Sequence, residues 1–399
     1  MTVTDPQDGV AHDASFAAFL AQVQQVTNLT DWPLADAVKE NVLVYQGEAV
    51  RAACREPERR RALLAEWARL FMDGPGVVVI ANAYEDTAPL DTATALFEDM
   101  IAEQHRASKA AQADHFAKAG ANDRVWNALE KHGLRDPENF ADYFGNEAIA
   151  LVCESWLGPG YQVTAQVNRV NPGGEAQSAH RDYHLGFMTP EQMSAFPSHI
   201  HALSPVLTLQ GAIAHCDMPL ETGPTLYLPY SQQFTDGYLL FSGEQYQGYF
   251  NEHRRQLALS KGDAVFFNPA VMHAAGANRT ADRYRLANLL QVSSAMGRAM
   301  EWVDRHTLCE KLYKVLLKRK RAGQLDAGTE AAVIAATAEG YSFPTSLDHN
   351  PPVGGLAPVT QAELFARALV EDLDETEFLA KLSAHTVRQH RAIASDPAI

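Results

Sequence analysis

The sequence predicts a mainly β core, a double-sheet jelly roll or barrel, flanked by helices at both ends. Between about Tyr161 and Val292, short runs of alternating polar and apolar residues recur, separated by Gly, Pro and Asn turns. About eight short strands with such turns are what a jelly roll or barrel requires. On either side, apolar residues return at helical spacing, most clearly from Glu58 to Leu70 and from Met300 to Arg321. The expected organisation is an N-terminal helical region (1–73), a β core (74–297) and a C-terminal helical extension (298–399).

Each element has its own signal. Residues 1–12 read as a frayed leader, and Asp13 opens a helix to about Val26. Residues 36–72 read as mostly helical, with Arg59, Arg60 and Arg61 on a solvated face. Gly74-Pro75-Gly76 breaks that pattern, and Val77-Val78-Val79-Ile80 is a buried strand. Helices follow at about 89–103 and 147–157, the second ended by Gly158-Pro159-Gly160. Tyr161 to Val170 alternates, placing Gln166 and Asn168 on one face, and Asn171-Pro172-Gly173-Gly174 is a turn. Thr189 to His201 is a loop or short helix. Strands are expected at 206–215, 225–229, 257–263 (with a turn), 264–267 and 284–292. Beyond the core, Gly340 to Pro358 lacks periodicity, Thr360-Gln361-Ala362-Glu363 is a capping box, and Glu375 to Ala392 closes the chain as a helix.

Composition removes several classes of function. With 46% hydrophobic and 21% charged residues the chain is globular. A formal charge of −16 argues against a surface that tracks phosphates, so nucleic acid is not an expected partner. No apolar run approaches the roughly 18 residues that span a bilayer, and the polar start lacks the regions of a signal peptide. Four scattered cysteines have neither zinc nor disulfide-framework spacing. A reduced, cytoplasmic protein is the expectation.

The chemistry gathers at Ser178-Ala179-His180-Arg181-Asp182-Tyr183-His184. His180 and Asp182 are two apart, so on an extended backbone both leave the same face. A second such triplet, His215-Cys216-Asp217, ends an apolar strand and runs into Met218-Pro219, which reads as structural. The first follows a turn after an alternating strand and has Gln177, Tyr183 and His184 around it. It also has a partner 93 positions on, His273, which is followed by Arg283 and Arg285. Two histidines and one carboxylate on one open face suit a non-haem Fe(II) oxygenase. Lone His115 reads as an ordinary surface or core histidine. Lys118 and Arg124 read as solvated charges, or as cations within reach of an anionic cosubstrate.

The order of these motifs resembles the phytanoyl-CoA dioxygenase family. The order is His180-x-Asp182; Asp217 followed by Gly223-Pro-Thr-Leu-Tyr-Leu-Pro229-Tyr-Ser231; Lys261-Gly-Asp263-Ala-Val-Phe-Phe267; His273-x-x-Gly276-Ala-Asn278-Arg279; and Arg285. The likeness covers roughly residues 74–295. It implies a double-stranded β-helix core, a cofactor of Fe(II) with 2-oxoglutarate as cosubstrate and O2, and release of succinate and CO2. By position, His180, Asp182 and His273 match the iron ligands, and Arg285 matches the arginine that holds the distal carboxylate of 2-oxoglutarate. A guanidinium fork suits that carboxylate. Gln166 and Asn168 resemble strand positions that touch the cosubstrate.

Three departures stand out. Arg285 is twelve residues after His273 where the family usually has eleven, so Arg283, ten after, is a rival. Ala275 replaces the small hydroxyl residue usual two after that histidine, and Pro229-Tyr-Ser-Gln232 replaces Pro-Gly-Ser-His. The resemblance implies hydroxylation over halogenation, because halogenating relatives lack the carboxylate that Asp182 supplies. A cupin-like metal-dependent hydrolase or isomerase, or a non-catalytic binding barrel, would carry the same ligand triplet without needing the arginine strand. Trp126, Tyr183, His184 and Phe187 are candidate pocket residues, and the segment 340–358 is a candidate lid.

Overall fold

The computed structural model describes residues 6–107, 120–186 and 188–390, with side chains from residue 15 onward. His115, Lys118 and Phe187 lie outside the described residues.

Among the described residues, eleven strands form two sheets. They are β1 (Ala37–Lys39), β2 (Val42–Gln46), β3 (Val77–Ala81), β4 (Asn122–Val125), β5 (Gln162–Val170), β6 (Thr208–Ala214), β7 (Leu226–Leu228), β8 (Arg255–Gln256), β9 (Ala264–Phe267), β10 (Met272–Ala274) and β11 (Arg285–Ser293). The large sheet has the order β1-β2-β3-β9-β6-β11-β5-β4, and the small one β10-β7-β8. Every pairing is antiparallel except that of β2 with β3. At the centre β11 pairs along its whole length with β5, from Arg285 opposite Val170 to Ser293 opposite Gln162.

Alternation divides the two faces of the large sheet. On β5 the odd residues Val163, Ala165 and Val167 join Leu286, Leu290 and Val292 of β11 against a helical layer that includes Trp67, Phe97, Phe140 and Leu312. This one apolar cluster draws residues from Trp32 to Leu382, so the C-terminal helices share a core with the sheet. On the opposite face Val79, Ala212, Val265 and Phe267 meet Tyr227 and Leu257 of the small-sheet side. Helices, large sheet and small sheet are thus three successive layers, and the jelly-roll core lies between the two sheets.

The long helices stand close to where periodicity puts them: Pro57–Met72, Ala88–Ala107, Glu147–Leu157, Arg305–Arg321 and Glu375–His390. Thr360 and Glu363 form the expected capping box at the start of Gln361–Val370. The first helix begins at Pro6, within the stretch read as a leader. The stretch 36–72, read as helical, instead begins with β1 and β2, and β2 carries the sheet across the expected 73/74 boundary by pairing with β3. Val42, Leu43, Val44 and Tyr45 are β-branched, apolar or aromatic and nearly fully buried, which favours a central strand over a helix. At 257–263 only an isolated bridge between Met218 and Leu259 forms, followed by a turn.

Candidate metal centre and its cavity

The turn at Asn171–Gly174 sends the chain back so that residues 177–182 run antiparallel to 269–275. Gln177 N–H donates to Ala275 O at 3.0 Å, and Asp182 N–H donates to Pro269 O at 3.0 Å. Between them His180 and His273 exchange both backbone hydrogen bonds, at 2.9 and 3.0 Å. Val271, the next residue in register, donates its N–H to Asn268 O at 2.9 Å instead, so regular pairing stops at the carboxylate. The segment therefore forms one isolated bridge, His180 with His273, rather than a full strand, and the His180 and Asp182 side chains come to the same side.

Candidate ligand atoms of His180, Asp182 and His273 lie within 4.8 Å of one another. His180 Nε2 is 3.8 Å from Asp182 Oδ1, and His273 Nε2 is 3.7 Å from Asp182 Oδ2. Both histidines use Nδ1 locally, toward Ser178 O at 3.0 Å and Val271 O at 2.9 Å. With Nδ1–H donating to a carbonyl, each Nε2 keeps its lone pair for a metal. Burial, reinforced by the His180 ring and opposed by Asp182, pushes the His273 pKa down to about 4. At neutral pH it is the uncharged imidazole that a metal binds.

Two neighbours fix this geometry. Gln210, on β6, donates from Nε2 to Asp182 Oδ2. Arg181 points to the opposite face, where it donates to Phe234 O at 3.0 Å and to Ser231 O, with its guanidinium 5.5 Å from the Tyr238 ring. Sequence reasoning missed Gln210. Its one signal is that it is the amide in the otherwise small or apolar run Leu209-Gln210-Gly211-Ala212-Ile213-Ala214, all of it buried.

The three side chains open into a cavity of about 710 Å³ between the sheets. That volume is in the range of small-molecule sites. Gln166 and Asn168 of β5 both line it, as do Arg285 and Ala275. Arg285 is 6% exposed, and its guanidinium has one hydrogen bond among the described residues, from Nη1 to Thr222 O at 3.3 Å. Burial lowers its pKa to about 10. Arg283 precedes β11 and is exposed, so the same-parity rival does not reach the cavity.

Other candidates separate cleanly. Trp126 and Tyr183 line the cavity; Arg124 lines it too, donating to Gln166 Oε1 at 3.2 Å with its guanidinium 4.9 Å from the Trp126 ring. His184 is turned away, its Nδ1 2.7 Å from Thr208 Oγ1. No residue of 340–358 lines the cavity, which corrects the lid expectation; Gly340 instead packs against Gly160, at the start of β5. In the second triplet, His215 is buried between Thr94 and Tyr143, and Asp217 accepts from Lys261 N–H at 2.9 Å. It is structural, as its sequence context implies.

Residues 9–287 match the family model described as phytanoyl-CoA dioxygenase. The chain belongs to the phytanoyl-CoA dioxygenase family. Among curated relatives it is similar to dioxygenase FrzG of Cladobotryum sp, 28% identical over 169 residues, which is 40% of this chain and 47% of that protein. The chain thus spans about half the length of that relative. Among solved structures it is similar to the epimerase SnoN from nogalamycin biosynthesis (20% identity, 60% of this chain and 85% of that one, TM-score 0.40). Another is HygX from Streptomyces hygroscopicus with nickel and 2-oxoglutarate bound (13% identity, 60% and 90%, TM-score 0.43). Among the described residues, no helix is long and apolar enough to cross a membrane.

Proposed function

We propose that this member of the phytanoyl-CoA dioxygenase family is an Fe(II)- and 2-oxoglutarate-dependent dioxygenase that hydroxylates a small organic molecule, with release of succinate and CO2. The observation that carries this is the meeting, in one cavity, of the His180, Asp182 and His273 donor set with the buried guanidinium of Arg285. A buried cation without a carboxylate partner among the described residues calls for an anion. A hydrolase or isomerase using only the metal has no use for it.

The residues fit both groups. His180, Asp182 and His273 would hold iron through two neutral imidazole nitrogens and one carboxylate, leaving positions open for other ligands. Arg285 would hold the distal carboxylate of 2-oxoglutarate, and Gln166 and Asn168 would contact the cosubstrate from the adjacent strand. The bound iron, with 2-oxoglutarate and O2, would supply the oxidising power. The protein holds the ligand atoms in place through the carbonyls of Ser178 and Val271 and the amide of Gln210. Apolar walls such as Val79, Leu257 and Phe267 keep water away, while Trp126 and Tyr183 shape the space left for a substrate C–H.

The test is succinate formation from 2-oxoglutarate with Fe(II), ascorbate and O2, screened against a panel of small molecules. Turnover that rises with a particular compound and disappears in His180→Ala supports the reading. Tight iron binding with no succinate under any condition would favour the metal hydrolase.

A further inference from the structure

The cosubstrate site lacks one familiar part, because Ala275 has no hydroxyl to offer two residues after His273. The structure has a hydroxyl elsewhere on the same wall. Tyr227 of β7 stands directly opposite His273 in the β10–β7 register. It is 3% exposed and lines the cavity; its Oη lies beside the Thr225 side chain but has no hydrogen-bond partner of normal geometry among the described residues. Thr225, two residues earlier and on the same face, also lines the cavity.

A buried hydroxyl without a partner is uncommon, because its desolvation goes uncompensated. Nothing frees the ring to turn elsewhere. Phe267 packs edge-on against it at 5.1 Å between centroids and also meets the His273 ring at 4.7 Å. The phenol is therefore held by the same aromatic contacts that hold a candidate iron ligand. Arg285 lines the same cavity as Tyr227.

We propose that the Tyr227 hydroxyl donates a hydrogen bond to the distal carboxylate of 2-oxoglutarate beside Arg285, in place of the hydroxyl absent at Ala275. This rests on the 2-oxoglutarate reading above. Tyr227 is then a cosubstrate-binding residue, and the unpartnered Oη is a donor awaiting its acceptor. Hydrogen bonds to a charged group are stronger than neutral ones, so losing this one should weaken binding about ten-fold or more.

The experiment is calorimetric titration of the Mn(II)-loaded protein, as wild type and as Tyr227→Phe, with 2-oxoglutarate and with 2-oxobutanoate, which lacks the distal carboxylate. Phenylalanine keeps the ring contacts and removes only the hydroxyl. The expected result is a loss of about ten-fold in 2-oxoglutarate affinity, with 2-oxobutanoate unchanged. Equal 2-oxoglutarate affinity in the two proteins overturns the proposal, and so does equal weakening of both ligands, which marks a structural role. If wild type itself does not prefer 2-oxoglutarate over 2-oxobutanoate, the cosubstrate reading fails and the role of Tyr227 fails with it.

Discussion

His180 and His273 face each other as a hydrogen-bonded cross-strand pair, each taking the other's carbonyl, with ring centroids 4.4 Å apart. The pairing register therefore sets the spacing of the two imidazoles, and a slip of one residue would turn one of them to the other face. The centre depends on backbone pairing between segments about 90 residues apart in sequence.

Removing any one ligand should abolish stoichiometric iron binding while the fold persists. His180→Ala, Asp182→Ala and His273→Ala are expected to lose the rise in melting temperature that Fe(II) or Mn(II) gives the wild type, since that rise is binding free energy. Metal analysis after gel filtration, beside thermal melts, checks it.

Gln210 should matter without touching the metal. Its amide holds Asp182 Oδ2, and supporting partners of this kind are typically worth 10–100-fold in affinity or activity. Gln210→Leu is expected to weaken metal binding by about that factor, with Gln210→Glu failing to rescue it because two carboxylates would repel. Equilibrium competition with a metal-binding dye measures the change.

The two arginines should behave differently. Arg285→Ala is expected to raise the KM for 2-oxoglutarate at least about thirty-fold, the loss typical of breaking a buried charge pair. Arg283→Ala, exposed before β11, should leave it within about two-fold. A 2-oxoglutarate saturation series for each variant decides.

Stability should fall with acid for a reason separate from the metal. His132 and His215 are buried behind the sheet, and burial pushes their pKa values down to about 4 and about 3. An unfolded histidine protonates near pH 6.5, so the unfolded chain binds more protons below that pH. The contribution is whole above about 6.5 and is lost as pH falls toward the folded values, at about 2 kcal/mol for each histidine by pH 5. Urea denaturation at pH 7 and pH 5 should show the loss, and His215→Gln should flatten it by about 2 kcal/mol.

What the sequence made legible follows from how local each signal is. The spacing of His180 and Asp182 was not enough by itself, since His215-Cys216-Asp217 has the same spacing; the preceding turn and alternating strand, and His273 after its Pro269 turn with Arg283 and Arg285 beyond, made the first triplet readable. Arg283 and Arg285 stayed ambiguous because parity is shared; only the start of β11 at Arg285 separates them. Gln210 and Tyr227 were hidden because the inward face of a short buried strand shows only once its partner is known. β1 and β2 were hidden too, since Val42 to Tyr45 is a short apolar run next to a helix and takes its identity from pairing with β3. The long C-terminal helices were visible because their periodicity is their own.

The most direct test of the central claim is the visible absorption of the anaerobic Fe(II) protein as 2-oxoglutarate is added. An α-keto acid chelated to Fe(II) gives a metal-to-ligand charge-transfer band. The band is expected in the wild type at one iron per chain, absent in Asp182→Ala and His273→Ala, and shifted to much higher 2-oxoglutarate in Arg285→Ala. An unchanged band in Asp182→Ala, or no band in a wild type carrying stoichiometric iron, would contradict the assignment of this cavity as the iron and 2-oxoglutarate site.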